Sequence, residues 1–165
     1  MAGAGIIIYV TDHGLSYFED YAPGATYDCG TVSVSEVQIL SFARDFDPQP
    51  MHADPAAAAR GPFGGLIASG WHTAALVMRQ LVDHYLSTVA GLASPGIDEL
   101  RWPNPVRPGD TLRVRATPVE ARLSNSKPDR GIIKTEIEAV NQDDQTVMRA
   151  TAINLILLRP AGPDG

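Results

Sequence analysis

Ser69-Gly70-Trp71-His72-Thr73-Ala74-Ala75-Leu76-Val77-Met78-Arg79-Gln80-Leu81-Val82-Asp83-His84-Tyr85-Leu86 is the stretch that decides the fold. Trp71, Ala74, Ala75, Met78, Leu81, Val82 and Tyr85 recur at three- and four-residue spacing, which predicts one long helix. Leu76 and Val77 widen the apolar stripe, so that polar surface is confined to His72, Arg79, Gln80, Asp83 and His84. A helix this apolar is expected to be covered on most sides. After it the period changes to two. Thr111 to Val119, Gly131 to Val140 and Thr146 to Leu158 read as long strands. Pro108-Gly109 suits the centre of a type II turn, and Asn141 to Gln145 a polar hairpin connection. A mostly apolar helix followed by antiparallel strands implies a curved sheet wrapped around that helix, an α+β layout.

Upstream, Thr31 to Val34 alternates like a strand. Ser35-Glu36-Val37-Gln38 reads as a capping box that opens a short helix, with Val37, Leu40 and Phe42 expected on its buried side. Asp54-Pro55 reads as an N-cap and first-turn pair, opening a short helix over Ala56 to Arg60 that Gly61 stops. Asp45 to Pro55 carries three prolines and is not expected to be a regular helix.

The chain has 165 residues and a net charge of −6, from 13 basic and 19 acidic residues. That length suits one domain. Residues 1–14 look unlike the rest and are read as an extension, either an extra strand or poorly ordered; residues 15–165 are read as a single domain. The acidic balance argues against nucleic acid as the main partner, since phosphate backbones need a basic face. All the cations except Lys127 and Lys134 are arginines, which suit a local phosphate site. The lone cysteine, Cys29, excludes an internal disulfide framework. The apolar run Ile6 to Val10 is too short to span a membrane and has no basic flank, so the expectation is a soluble cytoplasmic protein without a membrane partner. His13, His52, His72 and His84 show no metal-ligand spacing, and no metal is expected.

The segment that carries chemistry is Asp45-Phe46-Asp47-Pro48-Gln49-Pro50-Met51-His52-Ala53-Asp54. Pro48 and Pro50 fix their own φ and push Asp47 and Gln49 towards extended backbone. The resulting stiff loop can hold a carboxylate and an imidazole at a set separation, able to share one water or substrate proton. A second element is Leu66-Ile67-Ala68-Ser69-Gly70-Trp71, at the start of the long helix. First-turn N–H groups there have no intrahelical acceptor, and a glycine lets a ligand approach the backbone. Such an N–H could polarise a thioester carbonyl.

Asp47-x-Gln49-Pro50-Met51-His52 resembles the D-x-N-P-[apolar]-H signature of the (R)-specific enoyl-CoA hydratase and MaoC-like dehydratase family. Phe42-Ala43-Arg44-Asp45, Ala53-Asp54-Pro55, Gly64-Gly65-Leu66-Ile67-Ala68-Ser69-Gly70 and Val106-Arg107-Pro108-Gly109-Asp110 extend the resemblance, which runs from about Leu15 to Leu158. It implies a hotdog fold working as a homodimer, or as a dimer or trimer of such dimers. It also implies hydration of trans-2-enoyl-CoA thioesters or the reverse dehydration, with coenzyme A as part of the substrate and no other cofactor. Asp47 and His52 match the catalytic pair that activates water, and Gly70 matches the glycine whose N–H holds the thioester oxygen. Two positions depart from the pattern: the family's Asn is Gln49, and a serine some members carry in the helix is replaced by Met78.

Bland readings stand beside these. Asp47 could be only a loop cap and His52 only a hydrogen-bonded core histidine. Gly70 could simply permit tight helix packing. Gln49, Ser69 and Trp71 are assigned to substrate binding, with Trp71 as pocket wall, whereas His72 is read as a satisfied structural histidine. Phe63, with Gly64-Gly65, shapes either an acyl pocket or a plain loop. The turn Ser124 to Gly131 is either a solvated hairpin or a phosphate cradle built on Lys127 and Arg130; Arg101 and Arg107 are secondary candidates for that task, and Trp102 is assigned to packing. Two alternative functions remain at this point: a hotdog thioesterase and a non-catalytic acyl-CoA-binding subunit.

Overall fold

The computed structural model describes residues 7–9 and 15–161. Six strands form one sheet in the order β1-β2-β4-β5-β6-β3, with β1 Ile7–Tyr9, β2 Thr26–Ser33, β3 Gly96–Arg101, β4 Thr111–Leu123, β5 Arg130–Val140 and β6 Thr146–Leu157. All neighbours pair antiparallel except β1, which runs parallel to β2. The extra strand considered for residues 1–14 is thus present at Ile7–Tyr9; the rest of that extension lies outside the described residues.

Four helices, α1 Glu36–Phe46, α2 Pro50–Ala53, α3 Pro55–Arg60 and α4 Gly70–His84, lie between β2 and β3. The long α4 packs against β2 and β4. Its Val77 and Leu81 join Leu112, Val114, Ala116, Ile133, Val147 and Ile156 in the core. The long strands bury alternate residues, as their period of two requires. Pro118 lacks a donor for the ladder, and the β4–β5 register shifts between Pro118 and Glu120, a bulge that bends the strand. The type II turn forms as expected: Asp110 N–H donates to Arg107 O at 3.1 Å, and Gly109 takes φ +91°.

Local capping follows the sequence. Ser35 Oγ accepts from Gln38 N–H at 3.2 Å, and Gln38 Oε1 accepts from Ser35 N–H at 2.9 Å. Asp54 Oδ1 accepts from the Ala56 and Ala57 N–H groups at 2.9 and 3.0 Å, fixing α3 behind it.

Several expectations are corrected. Val37 is 76% exposed; Ile39 and Ala43 supply the buried stripe of α1, and Leu40 and Phe42 flank it half-buried. Val37 lies half a turn round the helix from Ile39, so both cannot face α4. The proline-rich segment is not irregular throughout: α1 continues to Phe46, and Pro50, at a first-turn position that needs no N–H, opens the one-turn α2. Strand β3 was not foreseen. Nor does this chain cover most sides of α4, since Trp71, Met78 and Val82 stay exposed on the face beside β3.

Candidate active site

Asp47 is the C-cap of α1, its N–H donating to Ala43 O at 2.9 Å. His52 sits on α2, whose position is fixed by His52 N–H to Gln49 O at 2.9 Å and by Ile67 N–H to Met51 O at 3.2 Å. The segment before α4 is held in turn by Ala68 N–H to Val106 O at 2.8 Å. Two prolines and these four backbone bonds therefore fix the segment, and the carboxylate and imidazole meet with Asp47 Oδ2 at 3.6 Å from His52 Nε2.

That distance exceeds a direct hydrogen bond, and a bridging water suits such a gap. The Asp47 side chain is 19% exposed and that of His52 only 8%, so the pair is largely shielded from solvent. His52 Nδ1 lies 2.9 Å from Ile67 O. A carbonyl only accepts, so Nδ1 carries the proton and Nε2 of the neutral ring presents its lone pair towards Asp47. Ile67 O is the orienting group, and as backbone it leaves no mark in the sequence.

Both carboxylate oxygens are engaged. Ser69 Oγ donates to Asp47 Oδ2 at 2.7 Å, and Gln49 Nε2 donates to Oδ1 at 2.7 Å. The Ser69 hydroxyl and the Gln49 amide hold the Asp47 carboxyl below the usual carboxylate range. Gln49 and Ser69, assigned to substrate binding from the sequence, both hold Asp47 in this chain.

Ser69 has a second task as the N-cap of α4. Its Oγ accepts from Trp71 N–H at 3.2 Å, and its carbonyl accepts from Thr73 N–H at 3.0 Å. Gly70 occupies the first helical position, ahead of the intrahelical ladder, and none of the described residues accepts its N–H. A Cβ on Gly70 would lie 2.7 Å from Cδ2 and Cε2 of Trp102. The glycine therefore admits close packing of that indole, whose ring meets Trp71 edge-on at 5.5 Å. Trp71 is 62% exposed in the single chain and lines an apolar cavity of about 460 Å³ between α4 and strands β3 and β6, together with Met78 and Val82.

The remaining candidates are placed as follows. Phe63 is half-exposed, and its carbonyl accepts from Arg107 Nη2 at 2.7 Å. Lys127 and Arg130 lie in the β4–β5 hairpin, at the end of β4 opposite the turn that leads from Val106 into Thr111. One chain does not bring them to Asp47 and His52, and Arg130 is forked onto Asp129 at 2.7 and 2.8 Å. His72 is not the satisfied histidine expected. Its Nδ1 is buried without a partner among the described residues, because the ring lies flat on Phe42 with centroids 4.9 Å apart. Burial on that apolar surface pushes its pKa down.

A family description, the MaoC-like domain, matches residues 19–141. The chain belongs to the MaoC-like domain family. The crystal structure of the MaoC-like dehydratase from Rhodospirillum rubrum is 43% identical, with a TM-score of 0.82 over 88% of this chain and 99% of that one. The 3-hydroxyacyl-thioester dehydratase Z of Mycobacterium tuberculosis is 41% identical over 93 residues, 54% of this chain and 58% of that protein. The MaoC-like domain here thus spans little more than half the length of that curated relative. A second M. tuberculosis protein, with a double hotdog fold, is 21% identical and matches 92% of this chain and 47% of its own at a TM-score of 0.76. The sheet of this MaoC-like domain, curved round α4, is accordingly a hotdog fold. Among the described residues no helix is long and apolar enough to cross a membrane.

Proposed function

We propose that this chain adds water to trans-2-enoyl thioesters of coenzyme A, or runs the reverse dehydration of 3-hydroxyacyl thioesters. The observation that carries the reading is the His52 tautomer: Nδ1 tied to Ile67 O, Nε2 facing Asp47 Oδ2 across 3.6 Å. A water held between those two atoms loses a proton to Nε2 as its oxygen bonds to C3 of the enoyl group. The same imidazolium returns a proton to C2, so that O–H breaks while C3–O and C2–H form. Delivery of both from one face makes the addition syn, and the (R)-3-hydroxyacyl product is the one that the family resemblance implies. Asp47 stays ionised and orients the water. Enolate charge develops on the thioester oxygen, and the Gly70 N–H, which has no acceptor among the described residues, receives it. The kinship with a mycobacterial 3-hydroxyacyl-thioester dehydratase supports the same chemistry.

The test is loss of enoyl absorbance on mixing the protein with crotonyl-CoA and a panel of longer enoyl-CoAs, with a thiol reagent in a parallel cuvette. An (R)-3-hydroxyacyl product without thiol release is expected. Thiol release would make the protein a thioesterase, and binding without turnover across the panel would make it an acyl-CoA-binding subunit.

A homodimer belongs to the same proposal. β3 is a sheet edge, with its backbone groups unpaired on one side, and the exposed Trp71, Met78 and Val82 of α4 lie beside it with Ile97. A second copy adding its own β3 covers both edge and apolar face. Light scattering should give at least twice the chain mass; a monomer at micromolar concentration would overturn the dimer.

A further inference from the structure

Most cations among the described residues are paired with a carboxylate, from Arg79 with Asp83 to Arg159 with Asp20. Arg44, Arg60, Arg107, Arg115 and Lys127 have no such partner among the described residues, and of these Arg60 and Arg107 flank one loop. Arg60 ends α3. Gly61 to Gly64 then form a tight turn, with Gly64 N–H donating to Gly61 O at 3.1 Å and Gly64 at φ +64°. Arg107 reaches the same turn from the other side. Its Nη2 donates to Phe63 O at 2.7 Å, and its Nη1 lies 3.4 Å from where a Cβ on Gly65 would stand. The guanidinium is therefore pinned against backbone by one of its five donors, with the others uncommitted.

The nearby carboxylates are already engaged. Asp110 accepts from the Arg107 backbone N–H at 2.8 Å and from Gln142 Nε2 at 2.9 Å. Asp54 caps the far end of α3. The loop continues through Ile67, which orients His52, to Gly70. Two arginines without a carboxylate partner thus flank the segment that builds the site, and a pinned, planar guanidinium such as that of Arg107 is pre-organised for phosphate oxygens.

We propose that Arg60 and Arg107, on either side of the Gly61–Gly65 loop, form the subsite that reads phosphate on the carrier arm of the substrate. This replaces the Lys127–Arg130 hairpin as the phosphate site within one chain, and it rests on the enoyl-thioester reading above. The ligand chemistry is a phosphate ester or pyrophosphate, present on coenzyme A and, as a single phosphate, on the phosphopantetheine arm of a carrier protein.

The test compares crotonyl thioesters of N-acetylcysteamine, 4′-phosphopantetheine and coenzyme A in the wild type, Arg107→Gln and Arg60→Gln. Arg60 makes no backbone contact of the kind Arg107 makes, so its variant guards against a folding artefact. The expected result is that kcat/KM for the CoA thioester, divided by that for the phosphate-free thioester, falls about ten-fold or more in each variant, chiefly through KM. Arg107→Lys should recover part of the loss. A ratio already reduced with phosphopantetheine supports reading of the phosphate that both carriers share. A ratio reduced only with coenzyme A supports reading of its nucleotide phosphates. An unchanged ratio overturns the subsite while leaving the hydratase intact. A wild type that hydrates none of the three overturns the underlying reading and the subsite with it.

Discussion

Replacing His52 by alanine is expected to lower kcat for enoyl-thioester hydration by about 10²–10⁴-fold, the usual contribution of a positioned general base. The reason is geometric. Nδ1 is committed to Ile67 O at 2.9 Å, so the only basic atom facing the Asp47 carboxylate is Nε2. Asp47→Asn should cost a comparable factor while preserving volume, because the amide cannot accept from Ser69, Gln49 and a water in the same way. The two changes act on one water, so the double variant should be little worse than either single one. Folding is the control. His52→Ala leaves the buried Ile67 carbonyl without its donor, a loss of about 1–3 kcal/mol that a thermal melt will register. Asp47→Asn leaves the backbone bonds intact and should melt close to the wild type. Near-normal turnover in either single variant, with the fold retained, would remove the pair from the mechanism.

The pH profile follows from the same contacts. Ser69 and Gln49 stabilise the ionised Asp47, so the acid limb that Asp47 contributes to kcat/KM should fall below the ordinary carboxylate range. Ser69→Ala should move that limb towards neutrality. The sign for stability is the same. A carboxyl with a depressed pKa in the folded state favours folding above its unfolded pKa, and that contribution disappears as pH falls through the folded value.

The helix and the three long strands were legible because apolar residues recur at three and four in α4 and largely at two in the strands, although the stripe of α4 includes Trp71, Met78 and Val82, which stay exposed. Strand β3 was not, because Gly96-Ile97-Asp98-Glu99-Leu100-Arg101 is an edge with no fully buried residue, and no buried face imposes a period. Tyr27 and Cys29 do alternate with Thr26 and Asp28, but Gly30 interrupts the pattern before it is long enough to read. At the site, Asp47 and His52 were legible as side chains in a proline-stiffened loop. Ile67 O was not, because a backbone carbonyl has no residue signature. Ser69 and Gln49 were noticed as polar groups near the site, but their bonds to the Asp47 carboxylate were not, because spacing does not say which way a side chain faces. The Lys127–Arg130 hairpin looked cationic in sequence, yet Asp129 neutralises Arg130 and the length of β4 carries the turn away from the site. Arg60 and Arg107 are far apart in sequence, and only the turn at Phe63 makes them neighbours of one loop.

Gly70 offers the second large effect, and it separates packing from chemistry. In Gly70→Ala the new Cβ would lie 2.7 Å from two atoms of the Trp102 indole. The ring or the helix start must move, costing about 1–3 kcal/mol, which outweighs the gain of up to ~1 kcal/mol from replacing glycine in a helix. That variant alone cannot show whether the N–H matters, since alanine keeps it. Trp102→Ala opens the space, and in that background Gly70→Ala and Gly70→Pro differ chiefly in the donor. Proline is tolerated at the first helical position, and Ser69 at φ −57°, ψ 142° already has the extended backbone that a following proline requires. The two double variants should therefore melt at similar temperatures. If the Gly70 N–H receives the charge on the thioester oxygen, the proline variant should lose a further 10²–10³-fold in kcat, as removal of one oxyanion donor does elsewhere. Equal kcat in the two would reduce Gly70 to a seat for Trp102 and oblige another donor to hold the enolate oxygen.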